Sequence, residues 1–281
     1  MKYITILVLF LFVGLNCFSQ TSDGTVRSLV NTEEYFNYLV KNDGINKGFL
    51  KVLSKNSIVF RPTPIEARKF YDKKDAADAS LNWKPEYAMI AKNGDFGFTT
   101  GPYTYSKNGE FYFGHYLSIW RSDDKNKWKL VLDGGISHPK PTEDLKYEYL
   151  DPKDRKFTHL LGPKKIQMRE DIVFSTDLLL GKALYNSGIT NFNEFYDSQV
   201  RLYYPGYLPI IGKENALTFL KNHRLDIETE PTFTDRAFSG DLAYTYGKAS
   251  ISGKSYNYIR IWKISETMKW NIILDVYIPA S

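Results

Sequence analysis

One set of motifs is written twice along this 281-residue chain, and that duplication constrains the fold more than any other feature. GDFGFTTG at residues 94–101 returns as GDLAYTYG at 240–247, an offset of 146. HYLSIWRSDDKNKWKLVLDGGISHP at 115–139 returns as NYIRIWKISETMKWNIILDVYIP at 257–279, an offset of 142. Trp120 therefore aligns with Trp262, Trp128 with Trp270 and Asp133 with Asp275. Upstream, SIVFRPTPI at 57–65 resembles QVRLYYPGYLPI at 199–210. Two copies at so long a period are a duplicated domain, not a solenoid. The expected domains are 25–140 and 165–281, joined by a charged linker over 141–164 that has no apolar period.

Each copy opens with helices and continues in strands. Residues 26–54 read as two helices broken at Asn42-Asp43-Gly44, 57–61 as a strand, and 65–71 as a short helix after Pro64. Four strands follow near 82–92, 96–105, 111–121 and 127–136, with turns at Asn93-Gly94, Asn108-Gly109 and 122–126. In copy two the turns fall at Ser239-Gly240, Ser252-Gly253 and 265–267, and 166–185 reads as the long first helix. Helices first and an antiparallel sheet afterwards make an α+β unit.

This order of elements, with the phrases GDFGFTTGPY, GHYLSIWR, KWKLVLDGG and ISHP, resembles the nuclear transport factor 2-like superfamily. Within it the chain is most similar to the SnoaL-like group of exported domains of unknown function. The resemblance spans roughly 25–140 and 165–281 and is closer in the first copy. It implies two cone-shaped units, each a strongly curved antiparallel sheet wrapped around helices with an apolar pocket inside. It also implies a wide choice of roles, because the superfamily includes isomerases, polyketide cyclases, dehydratases, ligand binders and association domains.

Residues 1–19 stand outside this scheme. Lys2, an apolar run over 3–15 and small residues before Gln20 describe a secretory signal peptide, with Cys17 and Ser19 at the −3 and −1 positions. The run is about 13 residues, short of the ~20 needed to span a bilayer. Lipidation of Cys17 ranks second, since Gly14-Leu15-Asn16 departs from the usual Leu-small-small-Cys box. The expected destination is periplasmic or secreted, and no later run is apolar for long enough to span a membrane.

The charge pattern and motif content exclude several chemistries. A formal charge of +5, scattered along the chain, does not point to nucleic acid. One Cys and four dispersed His argue against a structural zinc site. No Gly-rich phosphate loop, Gly-x-Ser-x-Gly elbow, His-Glu-x-x-His helix or acidic calcium loop occurs, and no cofactor is expected. Aromatic residues make up 16% of the chain, which suits strands and cavity walls.

Strand alternation nominates the site residues. Over 111–120, one face carries Phe111, Phe113, His115, Leu117 and Ile119, and the other Tyr112, Gly114, Tyr116, Ser118 and Trp120. The first is the more uniformly aliphatic, so it is expected to line the pocket with His115 pointing inward. Two readings compete at His115: a general acid or base, or a buried ring satisfied by a neighbour. Asn257 at the equivalent place makes copy one the better candidate. Asp133 reads either as a carboxylate of raised pKa or as a strand-end hydrogen-bonding group. Simple parity groups it with Lys129 and Val131, opposite Trp128, Leu130 and Leu132, unless a bulge at Gly134-Gly135 turns the strand. Arg61, with Tyr204 as its counterpart, is either a carboxylate-binding group or a surface ion pair. Trp83 and several Tyr side chains are expected as aromatic walls, and His138 as an exposed rim residue.

Three functions follow as expectations. The first is a small apolar or aromatic ligand held in the copy-one pocket. The second is an isomerase, cyclase or dehydratase using His115 with Asp133 or a Tyr. The third is a structural module in which Tyr112, Tyr116 and Trp120 cover Tyr256, Tyr258 and Trp262, within the chain or across a homodimer.

Overall fold

A computed structural model describes residues 20–76, 78–142, 144, 146–156 and 162–281. The expected signal segment, 1–19, lies outside the described residues. Helix α1 (Val26–Asp43) starts at Thr25, whose hydroxyl accepts the Ser28 amide. It stops at Gly44, whose φ of 95° favours glycine, and α2 (Ile45–Val52) begins directly after. The first unit continues with β1 (Leu53–Phe60), β2 (Pro64–Glu66), α3 (Ala67–Tyr71), β3 (Ala79–Trp83), β4 (Tyr87–Ile90), β5 (Phe96–Lys107), β6 (Glu110–Ser122), β7 (Trp128–His138) and β8 (Glu148–Leu150). The second contains α4 (Pro163–Ser187), α5 (Phe192–Phe195), β9 (Tyr196–Tyr203), β10 (Ile210–Ile211), α6 (Lys213–Asn222), β11 (Ile227–Arg236), β12 (Leu242–Ile251), β13 (Lys254–Ile264) and β14 (Trp270–Pro279).

The duplication is visible in the topology. The first sheet runs β2-β1-β7-β6-β5-β4-β8 with β3 also paired to β5, and the second runs β10-β9-β14-β13-β12-β11. In each, the first long strand lies parallel to the last, β1 on β7 and β9 on β14, while the hairpins between are antiparallel. The hairpin turns fall at Asn108-Gly109 and Ser252-Gly253, where both residues take positive φ as tight hairpins require. Two differences from the sequence reading are local. The strand expected over 82–92 is split into β3 and β4, because Pro85 has no amide to give a ladder. The expected linker contains β8, which pairs in parallel with β4 and so extends the first sheet.

Three cores hold the molecule together. Leu29, Phe36 and Val40 of α1 and Phe49 of α2 pack on Trp83, Tyr116, Trp120, Trp128 and Leu130. Val173, Leu180 and Leu184 of α4 do the same with Tyr258, Trp262, Trp270 and Ile272. The aligned tryptophans are thus the inner faces of two equivalent α+β cones. Between the sheets lies a third core, where Phe96, Phe98, Leu117, Ile119 and Leu132 meet Tyr244, Ile259, Ile261, Leu274 and Val276. The pairing surface is therefore the aliphatic face of each sheet. Tyr116, Trp120, Tyr258 and Trp262, expected there, are turned inward, and Tyr112 is exposed. Both faces of each central strand are apolar because both are covered, so alternation of polarity could not separate inside from outside.

Candidate functional site

A cavity of about 910 Å³ opens inside the first unit, between α1, α2 and α3 and the inner faces of β3, β5, β6 and β7. Its walls are largely aromatic. Phe36 meets Trp83 edge-on at 4.8 Å between ring centres, and Phe49 stacks on Tyr71 at 4.1 Å. Trp83 and Tyr116 close another side.

Polar groups reach this space through a register shift. Ile119 pairs with Leu132, but Trp120 pairs with Leu130, leaving Val131 as an extra residue in β7. Leu130 faces the helices, Leu132 faces the second sheet, and Asp133 returns to the inner side. The bulge thus lies at Val131, upstream of the expected Gly134-Gly135, and reverses the parity argument for Asp133. Arg61 Nη2 donates to Asp133 Oδ1 at 2.5 Å and to Tyr71 Oη at 3.0 Å, while Ser118 Oγ donates to Asp133 Oδ2 at 3.3 Å. Burial raises the Asp133 carboxyl above its usual range, and the Arg61 guanidinium opposes that rise. Burial works against the Arg61 charge in turn, but Tyr71 and Asp133 hold it more firmly protonated than an ordinary arginine.

The residue that sequence reading missed is Glu33, fully buried on α1. Its Oε1 accepts Trp83 Nε1 at 2.6 Å, and its Oε2 accepts Thr99 Oγ1 at 2.5 Å and Trp120 Nε1 at 2.9 Å. Burial pushes the carboxyl up to about 7. A signal existed: Asp177 occupies the corresponding place on α4, 144 residues on, but the repeat is conspicuous in strands and faint in helices.

The same interior in the second unit is filled. Arg260, at the place of Ser118, is fully buried, donating to Asp177, to Asp275 at 3.2 Å and to Tyr277 Oη at 3.2 Å. Tyr196 and Tyr258 complete this network by donating to Asp275 and Asp177, each at 2.8 Å. Tyr277 stands at the place of Gly135, where the first unit has no room for a side chain: a Cβ there would lie 2.4 Å from the His115 carbonyl oxygen.

Of the expected site residues, Arg61, Trp83 and Asp133 line the cavity together. Phe111, Phe113, His115 and Leu117 do not. Phe111 is 64% exposed on the β5–β6 hairpin, Phe113 is half-buried beneath Lys140, and Leu117 belongs to the core between the sheets. His115 is buried on that same outer face, with its ring against Tyr203 of the second unit. His115 Nδ1 lies 2.7 Å from His138 Nε2, and His138 Nδ1 lies 2.7 Å from the Pro139 carbonyl, which can only accept. His138 Nδ1 therefore donates to Pro139, and its Nε2 is left to accept from His115 Nδ1. His138 is buried instead of exposed, and burial lowers its pKa.

No protein-family model matches the chain, and no curated protein does. Among solved structures it is similar to nuclear transport factor 2 from Cryptosporidium parvum, at 13% identity and a TM-score of 0.33, over 43% of this chain and 98% of that one. It is also similar to a nuclear transport factor 2-like protein from Cytophaga hutchinsonii, at 13% identity and a TM-score of 0.32, over 42% and 99%. A ketosteroid isomerase-like protein from Erwinia carotovora atroseptica matches at 18% identity and a TM-score of 0.31, over 41% and 94%. The topology of each unit is the α+β arrangement expected from the motifs, helices against a curved and largely antiparallel sheet. Among the described residues, no helix is long and apolar enough to cross a membrane, and no group of three His, Cys, Asp or Glu side chains is placed to hold a metal ion.

Proposed function

We propose that this chain is an exported protein that binds a small, largely apolar or aromatic molecule in the cavity of its first unit. The carrying observation is the contrast between the copies: the interior that Arg260 and Tyr277 fill in one is open and aromatic-walled in the other. The inner wall suits a neutral ligand, because Arg61 there is already paired with Asp133, while the lysines that also line the cavity, Lys73, Lys74 and Lys107, are exposed. Export rests on the composition of residues 1–19.

The test is a thermal-shift and fluorescence titration of residues 20–281 with naphthyl ketones and the matching alkylnaphthalenes. Both should stabilise the wild type. Ser118→Phe, which occupies the cavity, should abolish the effect while the protein stays folded by circular dichroism. Equal stabilisation of Ser118→Phe and wild type would sink the cavity reading.

A further inference from the structure

The cavity is not built by the first unit alone. Pro205, Ile278 and Pro279, all of the second unit, stand on its wall beside Pro62 and Ser137 of the first. Two hydrogen bonds tie the units together at that rim. The Gly206 amide donates to the Ser137 carbonyl at 2.8 Å, and Asn257 Nδ2 donates to the Pro62 carbonyl at 3.3 Å. Ile278 is buried against Gly134, where an added Cβ would meet its Cδ1 at 3.2 Å. Lys73, Lys74 and Lys107 of the first unit also line the cavity, so its cationic side chains and this apolar wall come from different units.

The placement has a physical consequence. Pro205 and Pro279 are rigid, only partly exposed and anchored by strand-end hydrogen bonds, and Ile278 belongs to the core between the sheets. None of the three can yield to a longer ligand without disturbing the packing of the two units. Meanwhile the corresponding interior of the second unit is occupied by the Arg260 network.

We propose that the second unit forms part of the first unit's binding site: Pro205, Ile278 and Pro279 are specificity-determining residues that limit how far a ligand can extend at this wall. The inference rests on the cavity reading above and adds to it which half of the chain selects ligand size.

The experiment titrates the full chain from Gln20 with 2-acylnaphthalenes whose acyl group grows from acetyl to octanoyl, following quenching of intrinsic tryptophan fluorescence. Wild type should bind the short members and lose affinity as the chain lengthens, by about tenfold for a methylene group that the wall rejects. Pro279→Ala and Ile278→Ala should move that cut-off to longer acyl groups, read as the affinity of each longer member relative to the acetyl compound in the same variant. Ile278→Ala removes core volume, so Pro205→Ala, at a partly exposed position, serves as the independent variant should it fail to fold. A length profile unchanged in folded Pro279→Ala and Pro205→Ala overturns the wall assignment and leaves the cavity reading standing. Failure of every member to bind wild type overturns both.

Discussion

Glu33 is a carboxyl group surrounded by donors. Two indole N–H groups and a threonine hydroxyl converge on it, and the indoles cannot reverse to accept a proton's hydrogen bond. Thr99 can, so it is the group that turns round when Glu33 is protonated. The folded-state pKa of about 7 against an ordinary 4.5 makes the linkage explicit. Between those values the folded chain holds a proton that the unfolded chain has released, so stability falls as pH rises from about 4.5 to about 7 and is level above that. The contribution is on the order of 3 kcal/mol. Urea denaturation across this window should show the slope in wild type and a much shallower one in Glu33→Gln. Parallel curves for the two proteins would remove Glu33 as its source. The carboxyl itself was invisible to strand periodicity, because it lies on a helix where one acidic residue on an apolar face resembles any boundary position.

At the scale of elements, β7 decides what the cavity contains. One extra residue, Val131, lets Leu130 and Leu132 serve different cores and brings Asp133 inside to meet Arg61. Deleting Val131 takes out only the extra residue, so Leu130, Leu132 and Asp133 keep their facing and the Arg61–Asp133 pair survives. Its cost should be close to that of Val131→Ala, about 1 kcal/mol at a half-buried position. Arg61→Met leaves the buried Asp133 carboxylate without its partner and should cost about 3 kcal/mol. Chemical denaturation separates the two, and a deletion as costly as Arg61→Met would contradict this account of the strand. The equivalent strand, β14, has its own shift between the partners of Ile261 and Trp262, so the device belongs to both copies.

Across the whole molecule, two sheets share one core, and the polar ties at its edges reinforce it. Arg121 reaches Asp95 in its own unit at 3.0 Å and Asp235 in the other at 2.7 Å, and Arg201 reaches back to Glu86 at 3.3 Å and Glu148 at 3.1 Å. His115 lies in this inter-unit region, 3.6 Å from Glu86, not in the cavity. His115→Asn should therefore leave binding of a naphthyl ketone within about twofold of wild type while lowering stability by about 1 kcal/mol through loss of the His138 contact. Loss of ketone binding in a fully folded His115→Asn protein would return His115 to the site.

The duplication, the α+β order and the hairpin turns could all be read along the chain, because turn chemistry, periodicity and matched motifs are local properties. Arg61, Trp83 and Asp133 were also legible as residue types suited to a pocket wall. Which face of each strand turned inward was not. A sheet covered on both sides carries apolar residues on both sides, and only the packing of the second unit reveals that the His115 face was outward. The open interior of one copy and the filled interior of the other depend on where the Arg260 and Tyr277 side chains go. That is settled by three-dimensional contact with Asp177 and Asp275, which no spacing in the chain records.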